Sequence, residues 1–325
     1  MVYRPPVHIP RIEIFLTSGC NLRCGFCVEH ERLREGGWLA WGELDARIRR
    51  ASDQGVGLVQ FIGGEATLHP HFIDALELCK SLSLRTYVIT NLLAWEDRGF
   101  AEAVAPVLDE VMISLHAWGA DAGFAVTGRR DWWPRFLRAS DHARATLRAR
   151  IKGSTVLTRD SVADLDRIAD HLLSFGPAQW ITGPPVPTRG SEWDRGGHTL
   201  RLEEIRALQP RLRALRQRCE EASCKLIFFA LPHCVLGPAL WDDTTDTHVD
   251  GQDLSEQNDG RTAAVHFWSL DEAAPEPGVV RLGRSRAEPC RRCVRQKLCG
   301  GAFTDDLERF GADGLRPVTG PEPEE

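Results

Sequence analysis

Short apolar runs alternate with longer amphipathic stretches along the first half of the chain, and this alternation restricts the folds open to it. Ile12 to Thr17, Leu58 to Ile62, Arg85 to Thr90, Val111 to Leu115 and Ile151 to Leu157 read as buried strands. Trp180 to Thr182 is a weaker sixth. Between them, Trp41 to Asp53, Phe72 to Ser81, Asp97 to Val104, Trp133 to Arg148 and Val162 to Ser174 have helical periodicity. Repeated strand-then-helix order calls for a parallel sheet covered by helices. The expected fold is α/β, a partial (β/α)6 TIM-type barrel over residues 1–190 with a small cysteine-bearing extension at the C-terminal end. Barrels of this kind carry their chemistry on loops after the C-terminal ends of the strands.

Past Gly183 the pattern changes. Pro184, Pro185, Pro187, Gly190, Gly196 and Gly197 mark a loop. One long charged helix is expected over Leu202 to Glu221, so residues 191–225 read as a connector. Residues 226–316 read as the extension, with a strand at Leu226 to Leu231, a polar excursion at Trp241 to Asp259 and a short strand at Val279 to Leu282. The Pro- and Glu-rich tail, 317–325, is expected to be disordered. A net charge of -6 argues against broad nucleic-acid binding. No run of about 18 apolar residues suggests a membrane span. The first ten residues lack a secretory core, so a cytoplasmic location is expected.

Ten cysteines are many for such a location, where clustered thiols more often bind metal or do redox work than form disulfides. Cys20, Cys24 and Cys27 follow the first strand in Ser-Gly-Cys-Asn-Leu-Arg-Cys-Gly-Phe-Cys. Three thiolates so close can share one soft metal centre, and zinc or an ordinary cluster would need a fourth ligand. Cys290, Cys293 and Cys299 form a C-x2-C-x5-C set. Cys79, Cys219, Cys224 and Cys234 are scattered, and Cys79 sits on a helical core pattern.

The first triplet resembles the signature of radical S-adenosylmethionine (SAM) enzymes. There, three cysteines hold a [4Fe–4S] cluster whose open iron is chelated by the amino and carboxylate groups of SAM. The resemblance continues at the next strand end, where Gly63-Gly64-Glu65 is similar to the family's segment that contacts the SAM amino group. Ala66 stands where many members have Pro, which touches turn rigidity rather than the contact. Ser114-Leu115-His116 resembles the family's stretch after strand four, and Val126-Thr127-Gly128 a further recurring segment. The resemblance implies that Phe26, Gly63, Gly64, Glu65, Asn91 and Ser114 surround the cofactor. From the residues alone, Asn91 equally suits a cap or turn, and His116 reads as a structural histidine before a proton carrier. No catalytic acid or base is assigned.

The resemblance covers about residues 10 to 190. Beyond it, the C-x2-C-x5-C set and the Arg309-Phe310-Gly311…Pro317 ending are similar to a shortened SPASM/Twitch-like extension. That likeness implies one auxiliary [4Fe–4S] cluster on Cys290, Cys293, Cys299 and a fourth ligand. Cys234, after a predicted strand, is the leading fourth ligand, with Cys219 and Cys224 as competitors; structural zinc is the plainer alternative. Arg291, Arg292, Arg295 and Lys297 either offset thiolate charge or form a solvated face. Most of the ten tryptophans, Trp38, Trp41, Trp132 and Trp133 among them, are read as packing beneath loops.

The activity implied is reductive cleavage of SAM to a 5′-deoxyadenosyl radical that abstracts hydrogen from a substrate. A ribosomally synthesised peptide undergoing crosslinking, oxidation or epimerisation is the first expectation, and a small molecule in a biosynthetic pathway the second. A non-catalytic zinc or iron–sulfur protein is the third. The barrel is expected to start near residue 10, which leaves no room for an N-terminal leader-binding domain and counts against the peptide unless a separate peptide-binding protein supplies that function. An electron donor such as flavodoxin or ferredoxin is implied as a partner.

Overall fold

The structure, a computed structural model, describes residues 11–27, 37–187, 197–245, 266–268 and 284–320. The apolar runs form parallel strands in chain order. These are β1 (Arg11–Phe15), β2 (Leu58–Ile62), β3 (Arg85–Thr90), β4 (Glu110–Ser114), β5 (Arg150–Val156), β6 (Gln179–Gly183) and β7 (Lys225–Phe229). Two short strands extend the edges: β8 (Thr244–Thr245) beside β7 and β9 (His266–Trp268) beside β1. The order is therefore β8-β7-β6-β5-β4-β3-β2-β1-β9, every neighbour parallel. Among the described residues β8 and β9 each have one neighbour, so the strands described form an open partial barrel.

Helices cover one face. In α1 (Trp41–Asp53), Leu44, Arg47, Ile48 and Ala51 point inward, the three-and-four spacing that makes one helical stripe. α2 (Phe72–Ser81) repeats this with Phe72, Ala75, Leu76 and Cys79, which places Cys79 in the core. α3 (Arg98–Val104) starts at Asp97, whose carboxylate accepts the Phe100 N–H at 3.1 Å. α4 (Ala120–Thr127) and α5 (Trp132–Thr146) follow β4. Strand side chains alternate between two clusters. Val59, Phe61, Val88, Val111, Ile113, Trp180 and Phe228 join the helix core. Leu58, Tyr87, Met112, Ile181, Ile227 and Phe229 form a second cluster on the opposite face.

The strand starts on that second face carry charge. Buried Glu110 accepts from Lys152 Nζ at 2.7 Å and from Arg85, while Lys152 lies 4.5 Å over the Tyr87 ring. Gln60 donates to Glu13 at 2.6 Å. Ion pairs and amides thus fasten this end, leaving the C-terminal strand ends for ligands.

Several boundaries differ from expectation for local reasons. The helix expected over Val162 to Ser174 is two, α6 (Arg159–Ala163) and α7 (Leu165–Leu173). A reciprocal Thr158–Ser161 capping box starts the first early, and Asp164 leaves helical geometry between them. The long charged helix divides into α8 (Leu202–Ala207) and α9 (Gln209–Glu221), because Pro210 lacks an N–H and is accommodated in a first turn. α4 was not expected; its Ala- and Gly-rich sequence has little amphipathic signal. β7 falls in the segment read as extension but joins the sheet, because Leu226, Ile227, Phe228 and Phe229 are apolar on both faces and all buried. The strand expected at Val279 to Leu282 lies outside the described residues. Past β7, the described residues also form α10 (His233–Leu236), the antiparallel pair β10 (Arg284–Ser285) and β11 (Ala302–Phe303), and α11 (Thr304–Phe310).

Candidate active site and a second cysteine cavity

The loop after β1 holds Cys20, Cys24 and Cys27 at the C-terminal edge of the sheet, and three neighbours fix its shape. Thr17 Oγ1 accepts the Gly19 N–H at 2.8 Å and donates to Gly37 O at 2.8 Å. From β2, the Gly64 N–H reaches Thr17 O at 2.7 Å and the Glu65 N–H reaches Gly19 O at 2.8 Å. Gly63 permits this approach, since a Cβ there would stand 2.5 Å from Thr17 O. From the end of α4, Thr127 O accepts the Arg23 N–H at 2.8 Å and Val126 O the Gly25 N–H at 3.2 Å. Gly128, at φ +67°, ends that helix against Arg23. The Val126-Thr127-Gly128 segment is therefore a backbone clamp on the cysteine loop.

Burial raises the Cys20 thiol to about 12 and raises Cys24 as well. Each also feels Cys27 and the Glu65 carboxylate, so these groups lie close together. Binding of a metal by these thiols would release their protons. Among the described residues no three His, Cys, Asp or Glu side chains converge tightly enough for a single ion. Thiolates spread around a polynuclear cluster do not need to.

Glu65 is buried and forms the floor beneath this loop. Its Oε1 accepts Thr67 N–H (3.4 Å), Thr67 Oγ1 (2.7 Å) and Thr90 Oγ1 (2.8 Å), and its Oε2 accepts Asn91 N–H at 2.8 Å. Burial still holds its pKa above the usual carboxylate range, because no cation pairs with it among the described residues. A buried carboxylate lacking a cation suits the ammonium of an amino-acid cofactor. Asn91 makes the turn expected of it, accepting Leu93 N–H at 3.1 Å, and also donates to Asn21 Oδ1 at 2.7 Å. It thereby ties β3 to the cysteine loop. Ser114 ends β4 half-buried. His116 accepts the Val156 N–H on Nδ1 at 3.1 Å, and its ring meets Phe26 edge-on at 4.9 Å. Burial lowers its pKa to about 4, so the imidazole is neutral with its proton on Nε2.

A second set of cysteines meets behind β7. Cys234, Cys290, Cys293 and Cys299 line one cavity with Pro232, His233, Arg286 and Gln296, about 370 Å3 counting its open mouth. The Cys234 thiol is raised to about 11, first by burial and then by the charges of the other three cysteines. The His233 N–H points to Cys299 Sγ at 3.5 Å, and Arg286 donates to Cys299 O at 3.0 Å. Of the basic residues around this set, Arg295 is buried, donating to His233 and lying 4.2 Å over Trp241. Cys219 and Cys224 are elsewhere: both are buried between α9 and β7, where the Cys224 N–H donates to Cys219 O at 2.8 Å.

The sequence profile of the radical SAM superfamily matches residues 14–172, which runs from β1 to the end of α7. The chain carries a domain of the radical SAM superfamily. Among curated relatives, GTP 3′,8-cyclase of Chlorobaculum tepidum is 30% identical over 149 residues, 46% of this chain and 45% of that protein. Mycofactocin maturase MftC of Mycobacterium tuberculosis is 27% identical over 177 residues, 54% of this chain and 45% of that one. The chain thus spans about half the length of the curated relatives it matches. Among solved structures, Streptococcus suis SuiB bound to precursor peptide SuiA has a TM-score of 0.63 at 17% identity, covering 93% of this chain and 73% of that one. That likeness in fold reaches well past the radical SAM domain.

Within the radical SAM domain, the structure gathers Cys20, Cys24, Cys27, Gly64, Glu65 and Asn91 into one bonded or mutually charged group, with Gly63 packed on Thr17 and Phe26 against His116. Sequence reasoning missed Thr17, Asn21 and Arg129, which shape the loop; Thr127 was marked as part of the recurring Val126-Thr127-Gly128 segment, but not its bond to Arg23. Arg129 donates to Asn21 O at 3.1 Å. Among those missed, only Asn21, inside the cysteine run, had a signal in the sequence. In the second cavity, His233 and Arg286 were missed because nothing local marks them.

Proposed function

We propose that this chain is a radical SAM enzyme that removes a hydrogen atom from a ribosomally synthesised peptide during its modification. The observation that carries the reaction class is the cysteine loop clamped between Gly63–Glu65 and Val126–Gly128, above a buried carboxylate that no cation pairs with among the described residues. In this reading Cys20, Cys24 and Cys27 hold a [4Fe–4S] cluster, and Gly63, Gly64, Glu65, Asn91 and Ser114 face SAM. When bound, the cluster supplies an electron to the SAM sulfonium, whose cleavage provides the hydrogen-abstracting group. Glu65 orients the amino group of SAM, held in place itself by Thr67, Thr90 and Asn91. Phe26 against neutral His116 shields the site from water. Cys234, Cys290, Cys293 and Cys299 hold an auxiliary [4Fe–4S] cluster, with Arg286 beside it offsetting thiolate charge.

The peptide substrate is supported by the likeness to SuiB, solved with its precursor peptide, and to mycofactocin maturase MftC. A small-molecule substrate is the second reading, favoured by the identity to GTP 3′,8-cyclases. Reconstituted protein is expected to form 5′-deoxyadenosine from SAM and a reductant, and Cys24→Ala to abolish this. Wild-type rates from Cys24→Ala would overturn the site. Faster turnover with GTP than with a precursor peptide encoded beside the gene would select the second reading. Iron counting on Cys234→Ala, expected low, against Cys224→Ala, expected unchanged, tests the auxiliary site.

A further inference from the structure

The turn that carries the second cysteine set is folded with its charge inside and its aliphatic side chains outside. Between Cys293 and Cys299, Val294 is 53% exposed and Leu298 59% exposed, while Arg295 keeps only 8%. Bonds from Gln296 N–H to Cys293 O at 3.2 Å and from Leu298 N–H to Arg295 O at 3.0 Å hold the turn. The other basic residues of the set, Arg291, Arg292 and Lys297, are exposed. Inside, the Arg295 guanidinium lies 4.2 Å over the Trp241 ring, and its Nε donates to His233 Nδ1 at 3.2 Å. Trp241 stacks on the His233 ring and donates its Nε1–H to His233 O at 2.8 Å. His233 is the layer between Arg295 and the thiols: it lines the cysteine cavity, and its N–H points to Cys299 Sγ at 3.5 Å.

Burying a guanidinium while two aliphatic side chains of the same turn face water reverses the usual order, and a buried charge calls for an opposite one. The four thiols supply it once they exchange their protons for metal. We propose that Arg295 is a positioning residue for the second site: its buried charge, held by His233 and Trp241, makes a cluster bound there easier to reduce. The inference rests on the auxiliary-cluster reading above. Reduction adds one electron, and with it one negative charge, to a centre that the thiolates already make anionic. A fixed cation one side chain away favours that state, with little screening in a buried layer, and so does an N–H aimed at a ligand sulfur. Arg291, Arg292 and Lys297, being in water, act weakly by comparison.

The test uses the full chain reconstituted with iron and sulfide, in a Cys20→Ala/Cys24→Ala/Cys27→Ala parent that leaves only the second set to bind a cluster. Midpoints are read by electron paramagnetic resonance as dithionite supplies the electrons, and iron is counted alongside. Arg295→Gln is expected to make reduction about tenfold less favourable, which for one electron is a midpoint about 59 mV more negative. Arg295→Lys, which keeps the charge, should load iron in full with a midpoint near the parent, and Arg292→Gln should match the parent. An Arg295→Gln midpoint equal to that of Arg292→Gln, or an Arg295→Lys midpoint as negative as that of Arg295→Gln, would overturn the proposal. Loss of iron from both Arg295 variants would overturn it too, by assigning the residue to packing; loss from Arg295→Gln alone, with Arg295→Lys near the parent, supports it. A parent that binds no iron, while the unsubstituted chain binds enough for one cluster, would overturn the auxiliary-cluster reading and this proposal with it.

Discussion

Two glycines with nearly the same backbone make it possible to isolate the clamp on the cysteine loop. Gly128 ends α4 at φ +67°, and Gly176 follows α7 at φ +62°. Alanine at either position meets the left-handed penalty, about 1 kcal/mol. The surroundings differ. Nothing lies within 4 Å of a Cβ at 176, whereas one at 128 stands 3.2 Å from Arg23 Cβ and 3.4 Å from Arg23 O. Arg23 cannot yield freely, because its N–H is bonded to Thr127 O. Overpacking of this kind adds about 1 kcal/mol or more. Gly176→Ala should therefore cost about 1 kcal/mol and Gly128→Ala about 2 kcal/mol in denaturant unfolding of the metal-free protein. The decisive readout is amide hydrogen exchange at Arg23 and Gly25. Gly128→Ala should speed both, as their bonds to Thr127 and Val126 lengthen, while Gly176→Ala leaves them unchanged. Iron retention should follow the same order. Equal exchange in the two variants would refute the clamp.

Lys152→Met removes the buried partner of Glu110 and should destabilise the chain by about 3 kcal/mol in denaturant melts; adding Glu110→Leu should recover much of that. Burial, and then the neighbouring Arg144, lower His171 to about 4. The unfolded chain takes up a proton near the ordinary value of 6.5 that the folded chain refuses until about 4. Stability should therefore fall as pH drops through that window, by about 1.4 kcal/mol at pH 5.5, and unfolding midpoints of His171→Gln should depend less on pH. Gly301→Ala would put a Cβ 2.0 Å from Ser285 O at φ +89°. It should open the β10–β11 pair and lower iron at the second cavity, while unproductive SAM cleavage, measured as 5′-deoxyadenosine, persists.

The parallel strands were legible because most are short apolar runs bounded by turn residues such as Ser18, Gly63 and Asn91, and Leu58–Ile62 and Arg85–Thr90 match residue for residue. The cysteine loop and Gly63–Glu65 were legible because their chemistry is packed into a few adjacent residues. Contacts between distant segments were not. That Val126–Gly128 grips Arg23 and Gly25 depends on backbone carbonyls, which no residue type announces. The bonds from Thr90 and Asn91 to Glu65 likewise need the sheet to bring β2 and β3 side by side. Cys234 was ranked first by its place after a strand and its Pro-x-Cys setting; that it lines one cavity with Cys290, Cys293 and Cys299, while Cys219 and Cys224 are buried in the core, depends on the fold. The break at Leu208 was written in Pro210, but the surrounding charged periodicity masks it.

Cys234 stands 56 residues before Cys290 in the sequence, with β8 and β9 between them. Any ligand gripping both would close that stretch into a ring and restrict the unfolded chain as a covalent cross-link does. For a loop of this size the entropic gain is roughly 4 kcal/mol, a large share of what holds an ordinary domain folded. Oxygen damage at the second cavity would then register as a lowered melting temperature, before any question of turnover arises.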